Sequence, residues 1–153
     1  MTTSATSVRF DEHTTWVELA DGRILMDVRQ NNDPSRWLAA SSDGGQSWAA
    51  PQPGLTVTPV CCAIKRLSLK SAGAGRDRIL WTGPRGPGRN KLVARISYDE
   101  GKAFVNERLI SAEPAAYSDI TILKDGSAGI LWERADYKFI TITRINVSWL
   151  EER

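Results

Sequence analysis

Long hydrophobic runs are missing from this sequence, and no stretch approaches the roughly eighteen apolar residues that a membrane-spanning helix requires. The first residues, Met1-Thr-Thr-Ser-Ala-Thr-Ser-Val, lack the charged head and apolar stretch of a secretion signal. Histidine is nearly absent: His13 stands alone, and the only two cysteines, Cys61 and Cys62, are adjacent. An eight-membered vicinal disulfide ring is strained, so both are read as thiols. With no Cys/His ligand spacing, a transition-metal centre and metal-assisted hydrolysis are excluded, while clustered acids leave calcium open. No cofactor is expected. An excess of one charge is lacking too: twenty Lys and Arg against eighteen Asp and Glu leave +2. That is too little to draw nucleic acid or an anionic membrane by bulk electrostatics.

What is present is the make-up of one globular domain: 41% apolar, 25% charged, twelve Gly and seven Pro. Fourteen of the twenty cations are Arg, a bias that suits gripping carboxylates or phosphates with a planar fork. Residues 15–19 and 23–29 flank an Asp21-Gly22 turn, and residues 120–123 and 128–132 flank Asp125-Gly126, the grammar of hairpins. Phe139 to Trp149 alternates with period two. Further strands are expected at 37–40, 63–69, 79–82, 91–97 and 107–110, about ten in all, and no window carries a sustained helical period. The fold class is therefore all-β. The Gly/Pro-rich stretch 83–89 reads as a surface loop.

An internal repeat narrows the architecture. Ser41-x-Asp43-x-Gly45-x-x-Trp48 and Ser97-x-Asp99-x-Gly101-x-x-Phe104 share one pattern 56 residues apart, each after an apolar strand. A period near 50 residues in an all-β chain points to propeller blades. The Ser and Asp side chains can bond turn amides, Gly can take a positive φ, and the aromatic can anchor the turn, so the motif is read as structural.

These repeats resemble the Asp-boxes of sialidases, and residues 11–150 resemble the C-terminal half of the propeller of bacterial exo-α-sialidases, glycoside hydrolase family 33. The resemblance rests on Glu12 ahead of the hairpin ending at Arg29, the first Asp-box, Pro59-Val-Cys-Cys, and Arg89 before the second box. It continues through Ala116-Tyr117-Ser-Asp119, Asp125 to Glu133, and Trp149-Leu150. It implies a six-bladed β-propeller with about three blades present in residues 11–153, behind a polar segment at 1–10. It also implies a sialylated glycan as substrate, with Tyr117 as nucleophile and Glu12 as its activating base. Arg29 and Arg89 would be two of three arginines that grip the substrate carboxylate, and Glu133 would orient the third. Secretion or a periplasmic location is the expectation that goes with the family.

The chemistry suits those residue types. Sialic acid carries a carboxylate on its anomeric carbon, which repels an anionic nucleophile, whereas a phenol is neutral until a base takes its proton. A free Tyr ionises near pH ~10, so a carboxylate partner is needed at neutral pH. Taken singly, Tyr117 reads as a packed ring, Arg29 and Arg89 as solvated cations, and Glu18 competes with Glu12 for the role of base. Trp48, Trp132 and Trp149 are expected to be core anchors.

Two family elements have no counterpart here. The Arg-Ile-Pro segment that carries the first arginine is absent, since Arg23, Arg78, Arg95 and Arg144 each precede Ile but none is then followed by Pro. The aspartate acid/base beyond it is also missing. The length corresponds to about 2.7 repeat periods, whereas a closed ring needs at least about four blades. The expectation is a truncated sialidase, inactive alone, whose exposed blade sides promote self-association or take up the missing half. The competing reading is a noncatalytic Asp-box module that binds a glycan or a protein.

Overall fold

The computed structural model describes residues 13–31 and 33–152. Four antiparallel strands form the first blade in sequence order: β1 (Thr14–Glu18), β2 (Ile24–Val28), β3 (Ser35–Ser41) and β4 (Gln52–Thr56). A six-stranded sheet follows, made of β5 (Ala63–Ser68), β6 (Arg78–Pro84), β7 (Asn90–Ser97), β8 (Val105–Ile122), β9 (Ala128–Arg134) and β10 (Phe139–Ile145). Two blades are joined in it through β8. Residues 105–114 of this 18-residue strand pair with β7, while Ala115 to Ile122 pair with β9. The second blade is thus β5, β6, β7 and the first part of β8, and the third is the rest of β8 with β9 and β10.

The period-two signals placed most strands, with three differences. Gln52–Thr56 is a strand that its Pro and Gly concealed. The two strands expected at 107–110 and 120–123 are parts of one, because the chain passes from blade to blade without a turn. The strand expected to reach Trp149 ends at Ile145. There the Asn146 side chain accepts the amide of Trp149 at 2.8 Å and caps the short helix α1 (Val147–Glu151).

The core lies between blades. Alternate residues of β6 face opposite ways: Ile79 and Trp81 pack with Val17 and Leu25 of the first blade and with Val60 in the connection after it, and Leu80 packs with Ile130 and Trp132 of the third. A strand buried on both faces reads as a continuous apolar run, as Ile79-Leu80-Trp81 does. Asp27 and Arg36, 1% and 2% exposed, join the blades by a polar link. Arg36 Nε donates to Asp27 Oδ1 at 2.5 Å and Nη1 to the Val60 carbonyl at 2.9 Å, and Trp81 Nε1 donates to Asp27 Oδ2 at 3.0 Å. Burial pushes the Asp27 carboxyl up, and Arg36 and Trp81 oppose that rise.

Both repeat copies close in the same way. Ser41 Oγ donates to Asp43 Oδ1 at 2.7 Å and accepts the Gly45 amide at 2.8 Å, and Ser97 Oγ does the same with Asp99 and Gly101 at 2.8 and 2.9 Å. Asp43 and Asp99 then accept the amides of Ser47 and Ala103, each at 2.9 Å. Gly45 and Gly101 have φ of +90° and +83°, where a side chain is strained. In the second copy Glu100 reaches across to the first blade's turn, accepting the Ala20 amide at 2.7 Å and an Arg66 Nη1 bond at 2.8 Å. Phe104 packs at the core between the blades, and Trp132 is buried.

Candidate active site

Tyr117 owes its position to an irregularity in β8. The pairing of β8 with β9 shifts register between Ala115 and Ser118, a bulge that frees two backbone amides from the regular ladder. Both find other partners: the Tyr117 amide donates to Glu133 Oε2 at 3.2 Å, and the Ser118 amide donates to the Cys61 carbonyl at 3.2 Å. The Ser118 hydroxyl is held by Thr82, donating to its carbonyl at 3.1 Å. Bulges re-aim side chains and recur beside active sites. Here the Tyr117 ring is half-buried against the core between the first two blades, with His13 at 5.6 Å between ring centroids. The tyrosine lies within the long strand, in the interval between the stretches 107–110 and 120–123 where the sequence signals place strands.

Arg89 comes from the Gly/Pro-rich loop and is exposed. Its carbonyl accepts the Ala115 amide at 2.9 Å, which fastens the loop to β8 two residues before Tyr117. The guanidinium carbon lies 5.6 Å from the centre of the Tyr117 ring. Glu133, Tyr117, Cys61 and Asp119 line one cleft of about 300 Å³, and Glu133 and Arg89 line a smaller neighbouring one. Tyr117, Arg89 and Glu133 are therefore brought together by β8, the loop before β7, and β9.

Arg29 follows β2 and is half-buried. It is close enough to the Cys61 thiol to act on it electrostatically. Burial is the largest influence on that thiol and pushes it up, Asp119 adds to the rise, and Arg36 and Arg29 oppose it. Cys61 lines the cleft that contains Tyr117, and Arg29 is not among that cleft's lining residues. Burial carries the Cys62 thiol up to about 12, so neither cysteine is poised as a nucleophile. Glu12 lies outside the described residues. Its competitor Glu18 is exposed on β1, where its backbone carbonyl accepts Arg66 at 3.0 Å. Among the described residues no group of three or more His, Cys, Asp or Glu could hold a metal ion.

Sequence reasoning missed Tyr137, in the turn between β9 and β10. Ala135, Asp136 and Tyr137 have φ of 51°, 53° and 67°, three successive non-glycine residues in the left-handed region. Such turns are normally announced by Gly or Asn, and Arg134-Ala-Asp-Tyr-Lys138 contains neither.

Comparisons with known proteins bear on the family and the fold. A model of the BNR repeat-like domain matches residues 5–130. A sialidase of Micromonospora viridifaciens is 30% identical over 95% of this chain and 23% of that protein, and a sialidase of Bacteroides fragilis is 25% identical over 76% of this chain. Among solved structures, the NanB sialidase of Streptococcus pneumoniae superposes with a TM-score of 0.80 at 18% identity, covering 94% of this chain and 25% of that one. The intramolecular trans-sialidase of Ruminococcus gnavus gives 0.76 at 20% identity, covering 92% and 33%. The chain spans 23% of the length of each of these two curated relatives. Its three blades are those of a bacterial sialidase-type β-propeller, and the chain belongs to the BNR repeat-like domain family.

Proposed function

We propose that this chain carries the nucleophile half of an exo-α-sialidase site, acting on terminal α-linked sialic acids. The observation that supports this most is the bulge at Tyr117, which sets a tyrosine beside Arg89 with Glu133 behind its amide. In the proposed reaction Arg29 and Arg89 hold the substrate carboxylate by charge-assisted hydrogen bonds and present the anomeric carbon to Tyr117. The Tyr117 oxygen forms a bond to that carbon as its phenolic proton passes to Glu12, and the glycosidic bond breaks. Water then displaces the tyrosine, and two inversions give net retention.

The leaving oxygen needs a proton, and no residue named here supplies it. We assign the acid/base aspartate and the first arginine to propeller segments outside these residues, which span 23% of each of the two curated relatives. Without the acid, natural glycosides should turn over about 10²- to 10⁴-fold more slowly. Those further segments would also cover the third blade, which among the described residues has three strands and exposes Ile140 and Ile142 at 63% and 74%.

Binding of 2-deoxy-2,3-dehydro-N-acetylneuraminic acid, a planar anionic analogue of the transition state, tests the reading. Binding that is lost in Arg89→Ala and kept in Arg108→Ala supports it. Equal binding by both variants contradicts it and favours a noncatalytic module.

A further inference from the structure

We propose that Tyr137 is a positioning residue for Arg89, fixing the guanidinium so that its fork meets the carboxylate of a sialic acid. The inference rests on the reading of Arg89 as a carboxylate-binding residue and adds a member to that site.

Arg89 has a placement problem. It is exposed, at the end of a loop whose glycines Gly86 and Gly88 have φ of +87° and +73°, and a long side chain there loses rotamer freedom when it is held still. Tyr137 answers that problem in two ways. Its hydroxyl accepts a short hydrogen bond from Arg89 Nη1, and its ring centre lies 5.8 Å from the guanidinium carbon, which also lies 5.6 Å from the ring centre of Tyr117. Among the described residues Tyr137 is the only side chain that hydrogen-bonds this guanidinium. One N–H is used, and the remaining donors of the fork are left for an anion.

The backbone makes this more than a chance meeting of surface side chains. The Arg89 carbonyl accepts the Ala115 amide at 2.9 Å, and the Pro114 carbonyl accepts the Ala135 amide at 3.1 Å. Adjacent residues of β8 thus fasten the Arg89 loop on one side and the Tyr137 turn on the other. The three left-handed residues ending at Tyr137 turn its side chain toward Arg89, where Asp136 and Glu133 line the same small cleft.

The test compares the unaltered chain with Tyr137→Phe, which keeps the ring and removes the hydroxyl, and with Tyr137→Ala. Each is titrated with 2-deoxy-2,3-dehydro-N-acetylneuraminic acid and with its methyl ester, and thermal melts check that all three chains fold. Tyr137→Phe should weaken binding of the acid about tenfold, the worth of one charge-assisted bond, and Tyr137→Ala should weaken it further. Binding of the methyl ester should change little, because the ester cannot use the positioned fork as a carboxylate does. A merely structural tyrosine would lower the melting temperature and weaken acid and ester alike, and that result overturns the inference. Acid binding left unchanged by Tyr137→Phe overturns it while the sialidase reading stands. No binding of the acid by the unaltered chain overturns both.

Discussion

The Glu133 carboxylate accepts the backbone amide of Tyr117 at 3.2 Å, at the point where the β8–β9 register slips. A side chain thereby does for the proposed nucleophile what a partner strand does along the regular part of the ladder. Glu133→Gln keeps an acceptor oxygen and should be close to neutral. Glu133→Ala strands the amide and should destabilise the fold by about 1 kcal/mol, near the low end for an unmade bond because the site is only half-buried. Urea denaturation of the two variants checks this, and equal stabilities would contradict it.

Asp27 and Arg36 are paired in the interior between two blades, and removal of either leaves a buried charge. Asp27→Leu or Arg36→Met alone should cost about 3–5 kcal/mol. The double variant should cost clearly less than the sum, although Trp81 Nε1 and the Val60 carbonyl then lose their partners. A double-mutant cycle from denaturant melts gives the coupling, and strict additivity would show that the pair carries none.

Stability should fall in acid for a reason that can be assigned to the first repeat turn. Hydrogen bonds from the Ser47 side chain and amide, with Ser41, hold the Asp43 carboxyl down to about 2, against an ordinary value of 3.8. A group depressed on folding stabilises the native state above its unfolded value, and that contribution disappears as pH falls through the folded one. The melting-temperature gap between the unaltered chain and Asp43→Asn should therefore narrow from about pH 4 to about pH 2. A gap that stays constant over that range contradicts the assignment.

The open third blade has a consequence for the isolated chain. Among the described residues β10 pairs only with β9, and its face presents Ile140 and Ile142 at 63% and 74% exposure beside Leu131 at 43%. An apolar face next to a free strand edge invites association. Sedimentation should show oligomers at micromolar concentration, with Ile142→Lys shifted toward monomer. A single sharp monomer boundary for the unaltered chain, with a cooperative melt, contradicts this.

Much of the fold was legible because its signals are local. Period-two alternation located the hairpins, and the spacing of Ser41 and Ser97 revealed blades before any contact was known. Segments that break the pattern were not legible. Pro53 and Gly54 hid β4, and β8 runs through two blades with no turn residue to mark the passage. The site divided in the same way. Tyr117, Arg89 and Glu133 could be named from the family resemblance, and the structure brings these three together. The bulge that aims Tyr117 leaves no mark in Ala115-Ala-Tyr-Ser118, because a register shift depends on the partner strand. Tyr137 was missed because its left-handed turn contains no glycine.

The most direct measurement is mass spectrometry of the chain after incubation with 2,3-difluorosialic acid. Fluoride leaves without a proton from a general acid, so this reagent asks only for the nucleophile, its base and the carboxylate clamp. The account predicts a covalent sialyl adduct on the peptide containing Tyr117, absent in Tyr117→Phe and reduced in Arg89→Ala. An adduct confined to other residues, or none under conditions where the chain is folded, would contradict the assignment of Tyr117 as the nucleophile.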